Sequence, residues 1–385
     1  MWDFSGRIQE KGNEMICRRE LLGYSGLAVA AGVFPAGIRA SWAATEALAE
    51  EAKRAGQTEV VVAGGTGAYG ERVKKFIYEP FTAETGIRVI STGGSYGEKL
   101  ARIKAMTQVG AVEWDVVTLS ADSLTADTQP FFRNLGEQCQ ETPNVSASGV
   151  DGACLQYGVI FDVGGGVLAY DKTAFPNAAR QPSSWKDFWD VDTYPGPRGL
   201  PNVGTPWWPL IAALLADGVP ADRLFPLDLD RAFRKLDEIK PHVTVWWRSG
   251  DQSLQIFRNQ EVVMSMMFAN RARTLQTAGL PVGISWNGAP LDASVWTVLA
   301  QAPHPLAALA LLNFVYSRPE AHAAYMTETR GATAMKAAVG YMKAEDAAQI
   351  PTNEGIWPQI IRIDRSWLSE NQNTVIQRWT EWIAR

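Results

Sequence analysis

The feature that most limits what this chain can fold into is a strand, glycine-loop and helix pattern repeated between residues 58 and 122. Glu59-Val-Val-Val-Ala63 is a short apolar run that fits a strand buried on both faces, and it runs into Gly64-Gly65-Thr66-Gly67. Helical spacing follows over 69–84, with Val73, Phe76, Ile77 and Phe81 on one face, and Gly86 stands at the usual stop position. Ile87-Arg-Val-Ile90 predicts the next strand, Gly93-Gly94-Ser95-Tyr96 its loop, and 98–108 its helix. Trp114-Asp-Val-Val-Thr-Leu119 predicts a third strand, with Ser120-Ala-Asp122 capping another helix. Such alternation predicts an α/β lobe around a mostly parallel sheet.

The same grammar returns further on. After an irregular stretch at 129–157, the pattern predicts strands at 157–161, 166–170, 199–203, 242–247, 262–268, 282–286 and 296–300, with helices between several of them. From Pro305 onward the chain reads as helical, with breaks near Gly331, Gly340 and Pro351. Ligands of open α/β sheets bind outside the carboxyl ends of strands. The loops to watch are therefore 64–69, 91–97, 119–122, 162–166, 202–208, 247–251, 268–273 and 287–294.

The N-terminus carries a separate signal. Arg18-Arg19 precede a Gly- and Ala-rich apolar run over 21–36, and Ser41-Trp42-Ala43 is a small-x-small site, so 1–43 reads as an export signal cleaved near Ala43. The paired arginines followed by Glu20-Leu21-Leu22 are twin-arginine-like; an ordinary secretory signal and an uncleaved anchor are the alternatives. Residues 1–14 lack signal character, which makes Met15 a candidate start. Export places the mature protein in the periplasm, where Cys139 and Cys154 are candidates for a disulfide; two free buried thiols are the other reading. A formal net charge of −5 without basic blocks argues against nucleic acid as a partner.

Four stretches then resemble one family. Phe81-Thr-Ala-Glu-Thr-Gly-Ile-Arg-Val89 follows the first helix, and Trp114-Asp-Val-Val117 forms a strand. Gly166-Val-Leu-Ala-Tyr-Asp-Lys172 precedes Pro182-Ser-Ser-Trp-Lys-Asp-Phe-Trp189. Asn259-Gln-Glu-Val-Val-Met264 precedes an Ala- and Leu-rich helix over 307–319. In this order they resemble the periplasmic solute-binding proteins of ABC transporters, nearest to the spermidine/putrescine-binding branch. The resemblance implies a two-lobe, type II periplasmic-binding-protein-like α/β fold closing on its solute by hinge motion. It implies lobe 1 at 58–164 plus 292–338, and lobe 2 at 165–291 plus 339–385. It also implies a small-molecule solute, permease subunits at the inner membrane as docking partners, a monomer, no cofactor and no catalysis.

The expected site departs from the polyamine pattern. Polyamine binders set carboxylates against ammonium groups, because a buried charge needs a partner. Here Gly204-Thr205-Pro206-Trp207-Trp208 keeps the aromatic element without the acids, while Asp162 and Asp292 remain in otherwise neutral segments. Trp246-Trp247-Arg248-Ser249 sets a guanidinium at a strand end, a group suited to carboxylate capture. Asn270, Arg271 and Arg273 follow the next strand. Tyr69 and Tyr96 follow glycine-rich turns, and Ser95 and Ser120 stand where helix N-termini are expected, where they serve equally well as anion contacts or as caps. The candidate ligand-binding set is thus Tyr69, Ser95, Tyr96, Ser120, Asp162, Trp207, Trp247, Arg248, Asn270 and Asp292. An arginine opposite an acid suits a zwitterionic or carboxylate small solute such as a γ-amino acid; a polyamine and other solutes are the alternatives.

Other chemistries fit less well. Gly64-Gly65-Thr66-Gly67-Ala68-Tyr69-Gly70 lacks the Gly-Lys-Ser/Thr of a phosphate loop. His242, His304 and His322 are scattered, and the cysteines are not in metal spacing. Gly93-Gly94-Ser95-Tyr96-Gly97 has hydrolase-elbow spacing but no histidine obviously placed to serve it. A ligand sensor without transport and an exported enzyme stay as alternatives.

Overall fold

The computed structural model describes residues 36–385 apart from Thr66, Ser95 and residues 203–205. Residues 1–35 of the expected export signal, with its paired arginines and nearly all of its apolar run, therefore lie outside the described residues. Helix α1, Ala36–Arg54, runs through the expected cleavage position and packs on a helix near residue 310, burying Thr45, Ala49 and Ala52.

The first half follows the repeat closely. Strand β1, Glu59–Gly64, leads to α2, Gly67–Val73, a π-helical turn at Lys74–Tyr78, and α3, Glu79–Thr85. Val73, Ile77 and Phe81 are buried, as their spacing requires, and Gly86 closes the helix at φ 75°, a conformation glycine adopts without a Cβ penalty. Strand β2, Arg88–Gly93, helix α4, Tyr96–Val109, and strand β3, Val116–Ser120, complete it. β1 pairs in parallel with β2 and β3. Lys99, almost fully buried on α4, donates to Gly64 O at 2.9 Å and Thr118 O at 2.7 Å, tying the carboxyl ends of β1 and β3 together. Ser120 introduces only a 3₁₀ turn, Ala121–Ser123, instead of the expected helix, and caps nothing with its side chain.

The stretch read as irregular holds α5, Pro143–Ser148, and β4, Cys154–Leu155, and Cys139 and Cys154 are joined in a disulfide there. Strand β5 then runs unbroken over Gly158–Asp171, where two strands and a loop were expected. The difference has a steric cause. Gly164-Gly165-Gly166 looks like a loop, yet here the glycines let a strand pass under aromatic rings. A Cβ on Gly165 would stand 3.1 Å from Trp286, and one on Gly166 2.7 Å from Trp208.

Beyond β5 come α6, Trp185–Trp189, β6, Arg198–Pro201, α7, Trp207–Ala216, and α8, Leu229–Ile239. Ser184 caps α6 in a reciprocal box with Asp187. Strand β7, Val243–Trp247, α9, Gly250–Arg258, β8, Met264–Phe268, α10, Ala269–Thr277, and β9, Val282–Ser285, follow. Strand β10, Leu291–Val298, begins inside the segment read as a loop, and it returns the chain to the first half. The rest comprises α11, Pro305–Val315, α12, Pro319–Thr329, β11, Ala332–Thr333, α13, Ala344–Ala347, and α14, Arg365–Ile383.

The strands run in the order β2-β1-β3-β10-β5-β8-β6-β7. The sheet is mixed rather than mostly parallel. β10 is antiparallel to both β3 and β5, and β5 is antiparallel to β8 and β9, while β6 runs parallel to β7 and β8. One half of β5 pairs with β10 and the other with β8 and β9, so this strand is shared by the two halves of the sheet. Core packing follows the same division. One cluster gathers Val62, Phe81, Leu119, Phe161, Trp296 and Phe314; the others gather Leu168, Phe188, Leu210 and Trp379, or Val167, Trp247 and Met267.

Candidate solute-binding site

Where β5 and β10 cross, a cavity of about 470 Å³ opens. Ligand pockets for small molecules are typically concave, with a few converging polar groups. β5 supplies Asp162 and β10 supplies Asp292, which lies opposite Gly164 in the ladder. Tyr69 comes from the first turns of α2, and Tyr325, Thr329 and Arg330 from the end of α12. Asn270, Arg271 and Arg273 come from α10, while Phe268 and Trp286 form apolar wall.

The two acids differ in surroundings. Asp162 accepts hydrogen bonds from Tyr69 Oη at 2.7 Å, Tyr325 Oη at 2.8 Å and Ser294 Oγ at 3.2 Å. Burial pushes its carboxyl up to about 6 against those three donors. Asp292 is pushed to about 6 by burial and then by the charge of Asp162, and no donor among the described residues reaches it. Nearby, burial raises Asp122 to about 7; Arg365 pulls it down and Asp292 adds to the rise.

Four guanidinium-bearing residues also line the cavity, and three have acidic partners. Arg72 reaches Glu328 at 3.5 Å, Arg271 reaches Asp251 at 3.2 Å, and Arg273 reaches Asp346 at 3.2 Å. Arg330 forms no ion pair among the described residues. Its backbone is left-handed, φ 53° and ψ 20°, where a residue with a Cβ costs about 1–2 kcal/mol.

Of the residues expected from sequence, Tyr69, Ser120, Asp162, Asn270 and Asp292 meet at this cavity. Trp207, Trp247 and Arg248 are not among its walls. Trp247 is fully buried and donates its indole N–H to Met266 O at 2.9 Å, and Trp207 packs into the α7 core. Trp208 is the half-buried member of that pair, edge-on to Phe268 at 5.1 Å. Arg248 is exposed in the turn before α9, its backbone N–H held by Gln252 Oε1 at 2.7 Å. Ser95 and the side chain of Tyr96 lie outside the described residues. Sequence reasoning missed Tyr325, Arg330, Arg72, Phe268 and Trp286 as wall residues; the local signals were the loop at 268–273, which opens on Phe268, and the break at Gly331, beside Arg330.

The fold is shared with known proteins. The family model for bacterial extracellular solute-binding proteins matches residues 77–352. This chain belongs to that family. A gamma-aminobutyric acid-binding protein of Pseudomonas aeruginosa is 31% identical to this solute-binding protein over 345 residues, 88% of this chain and 94% of that one. A solved ABC transporter substrate-binding protein from Bradyrhizobium japonicum is 31% identical with a TM-score of 0.75, covering 84% of this chain and 99% of that one. A solved GABA receptor is 28% identical with a TM-score of 0.73, covering 84% of this chain and 97% of that one. The present protein is thus a solute-binding protein of the ABC-transporter kind, with an α/β periplasmic-binding-protein-like fold.

Proposed function

We propose that this solute-binding protein captures a small zwitterion with separated ammonium and carboxylate groups, of the γ-aminobutyrate class. The observation that carries the reading is the placement on one cavity of Asp292, a half-buried carboxylate that no donor among the described residues reaches, and Arg330, which forms no ion pair among the described residues. An ammonium beside Asp292 neutralises a carboxylate that burial otherwise disfavours. A carboxylate at Arg330 takes the two-pronged geometry guanidinium groups favour. The names of the P. aeruginosa relative and the solved GABA receptor support the same solute class.

A second reading is kept for one reason: two acids share the cavity, which suits a diamine such as putrescine. The four arginines on the same walls weigh against a dication.

In this reading the protein is exported, works in the periplasm as a monomer, and delivers its solute to permease subunits without chemical change. The two lobes, 58–164 plus 292–338 and 165–291 plus 339–385, close about the β5–β10 crossing. The test is a thermal-shift panel of γ-aminobutyrate, putrescine, spermidine, α-amino acids, dicarboxylates and sugars. A ligand that binds only the folded state raises the melting temperature by mass action. The expected result is a rise with γ-aminobutyrate and little with the others. A rise with putrescine or spermidine alone supports the second reading instead.

A further inference from the structure

We infer that Asp162 sets the hydrogen-bonding polarity of the cavity wall, by holding Tyr69 and Tyr325 so that neither phenol donates to the solute. The inference rests on the amine-bearing solute proposed above and assigns Asp162 a role distinct from that of Asp292.

A phenol carries one proton. Tyr69 gives its proton to Asp162 Oδ2 and Tyr325 gives its own to Oδ1. Both tyrosines line the cavity, Tyr69 half-buried and Tyr325 almost fully buried, so a phenol oxygen that meets a solute offers it lone pairs and no proton. An ammonium, which only donates, is matched by such a wall. A carbonyl or carboxylate, which only accepts, finds no donor there.

The arrangement is fixed from several directions. Tyr325 is 2% exposed, and its ring is wedged between Phe76 at 6.2 Å and Phe161 at 5.3 Å. Ser294 on β10 donates a third hydrogen bond to Asp162 and accepts the Asp162 backbone N–H at 3.1 Å. The carboxylate thus joins α2, α12, β5 and β10 through one side chain. Charged neighbours acting on this cluster are Asp292 from β10 and Arg72 from α2. Asp162 acts through the tyrosines as a positioning residue, while Asp292 meets the positive charge directly.

The test compares γ-aminobutyrate with 4-oxopentanoate, which carries an acceptor-only carbonyl where the amine stands. The readout is the ratio of the two affinities by calorimetry. In the unaltered protein the amine binds far more tightly. Asp162→Asn replaces an acceptor oxygen by a donor amide, so one phenol proton is released toward the cavity, and the ratio should fall about tenfold or more. Tyr325→Phe removes one acceptor oxygen and keeps Asp162, so the ratio should fall by a smaller factor; it decides the question alone if Asp162→Asn does not fold. Equal loss of both ligands, with the ratio kept, would make Asp162 a structural prop and overturn the inference. A ratio that drops in Asp162→Asn but is unchanged in Tyr325→Phe would make Asp162 a direct amine contact, which also overturns it. If the unaltered protein binds no amine-bearing compound, the zwitterion reading itself falls, and this inference with it.

Discussion

Tyr325 and Asp162 stand 163 residues apart in the chain and meet at 2.8 Å across the cavity wall. That contact brings α12 to β5, the strand shared by the two halves of the sheet. It makes the candidate site a product of topology: the acid, the phenol and the neighbouring Arg330 converge only because β10 returns the chain to the first half before α11 and α12 form.

Asp292→Asn should lower affinity for γ-aminobutyrate by a hundredfold or so, the order of a charge-assisted contact in a desolvated site. Affinity for butyrate, which lacks the amine, should hardly change. Calorimetry with both compounds measures the difference; equal losses would remove Asp292 from the ammonium site.

Arg330→Gly should leave the fold intact and abolish most binding. Glycine adopts the φ of 53° without strain, so thermal stability of the unliganded protein should hold or rise slightly. Loss of the guanidinium should weaken γ-aminobutyrate while leaving butylamine, which lacks the carboxylate, unaffected. Undiminished γ-aminobutyrate binding would place the carboxylate elsewhere.

Arg248→Ala should change affinity by less than about twofold, because the side chain is exposed and outside the cavity, where substitutions usually matter little. A large loss would show that the sequence reading of this strand end was the better guide.

Affinity should depend on pH in a definite direction. Burial holds Asp162 and Asp292 near 6, above the ordinary carboxylate range. Their contribution to the stability of the unliganded protein is therefore fully present below the ordinary carboxylate value and is lost as pH rises through about 6. A bound ammonium needs the ionised forms, so solute should bind more tightly at pH 7.5 than at pH 5 and release protons near pH 6. Titrations in buffers of different ionisation heat measure that release. Affinity that falls with rising pH would contradict the assigned charges.

Reducing the Cys139–Cys154 disulfide should lower stability by about 3 kcal/mol, the loop-entropy estimate for a closed loop of this size. Solute affinity at a temperature where the protein stays folded should be unaffected, because neither cysteine lines the cavity. Thermal melts with and without reductant, paired with calorimetry, test both halves.

The parts of the molecule legible in the sequence are those set by local pattern. Val73, Ile77 and Phe81 announce their helix face by spacing, and Ser184 and Asp187 announce the start of α6. Asp162 and Asp292 stand out as charges in neutral surroundings, and both reach the cavity. What local pattern misreads is the strand character around them. Three consecutive glycines resemble a loop until Trp208 and Trp286 are seen pressing on them. Tyr325 carries no local mark of function, since its partner Asp162 lies 163 residues away, and Arg330 is marked only by the neighbouring break at Gly331. Arg248 illustrates the converse: its strand end is where ligands often sit, but the residue is exposed and not among the cavity's lining residues.

The most direct test is a crystal structure of the protein with γ-aminobutyrate. The expected result is electron density in the β5–β10 cavity, with the ammonium beside Asp292 and the carboxylate on Arg330. A solute lying outside this cavity, or bound with its carboxylate away from Arg330 and its amine away from Asp292, would contradict it.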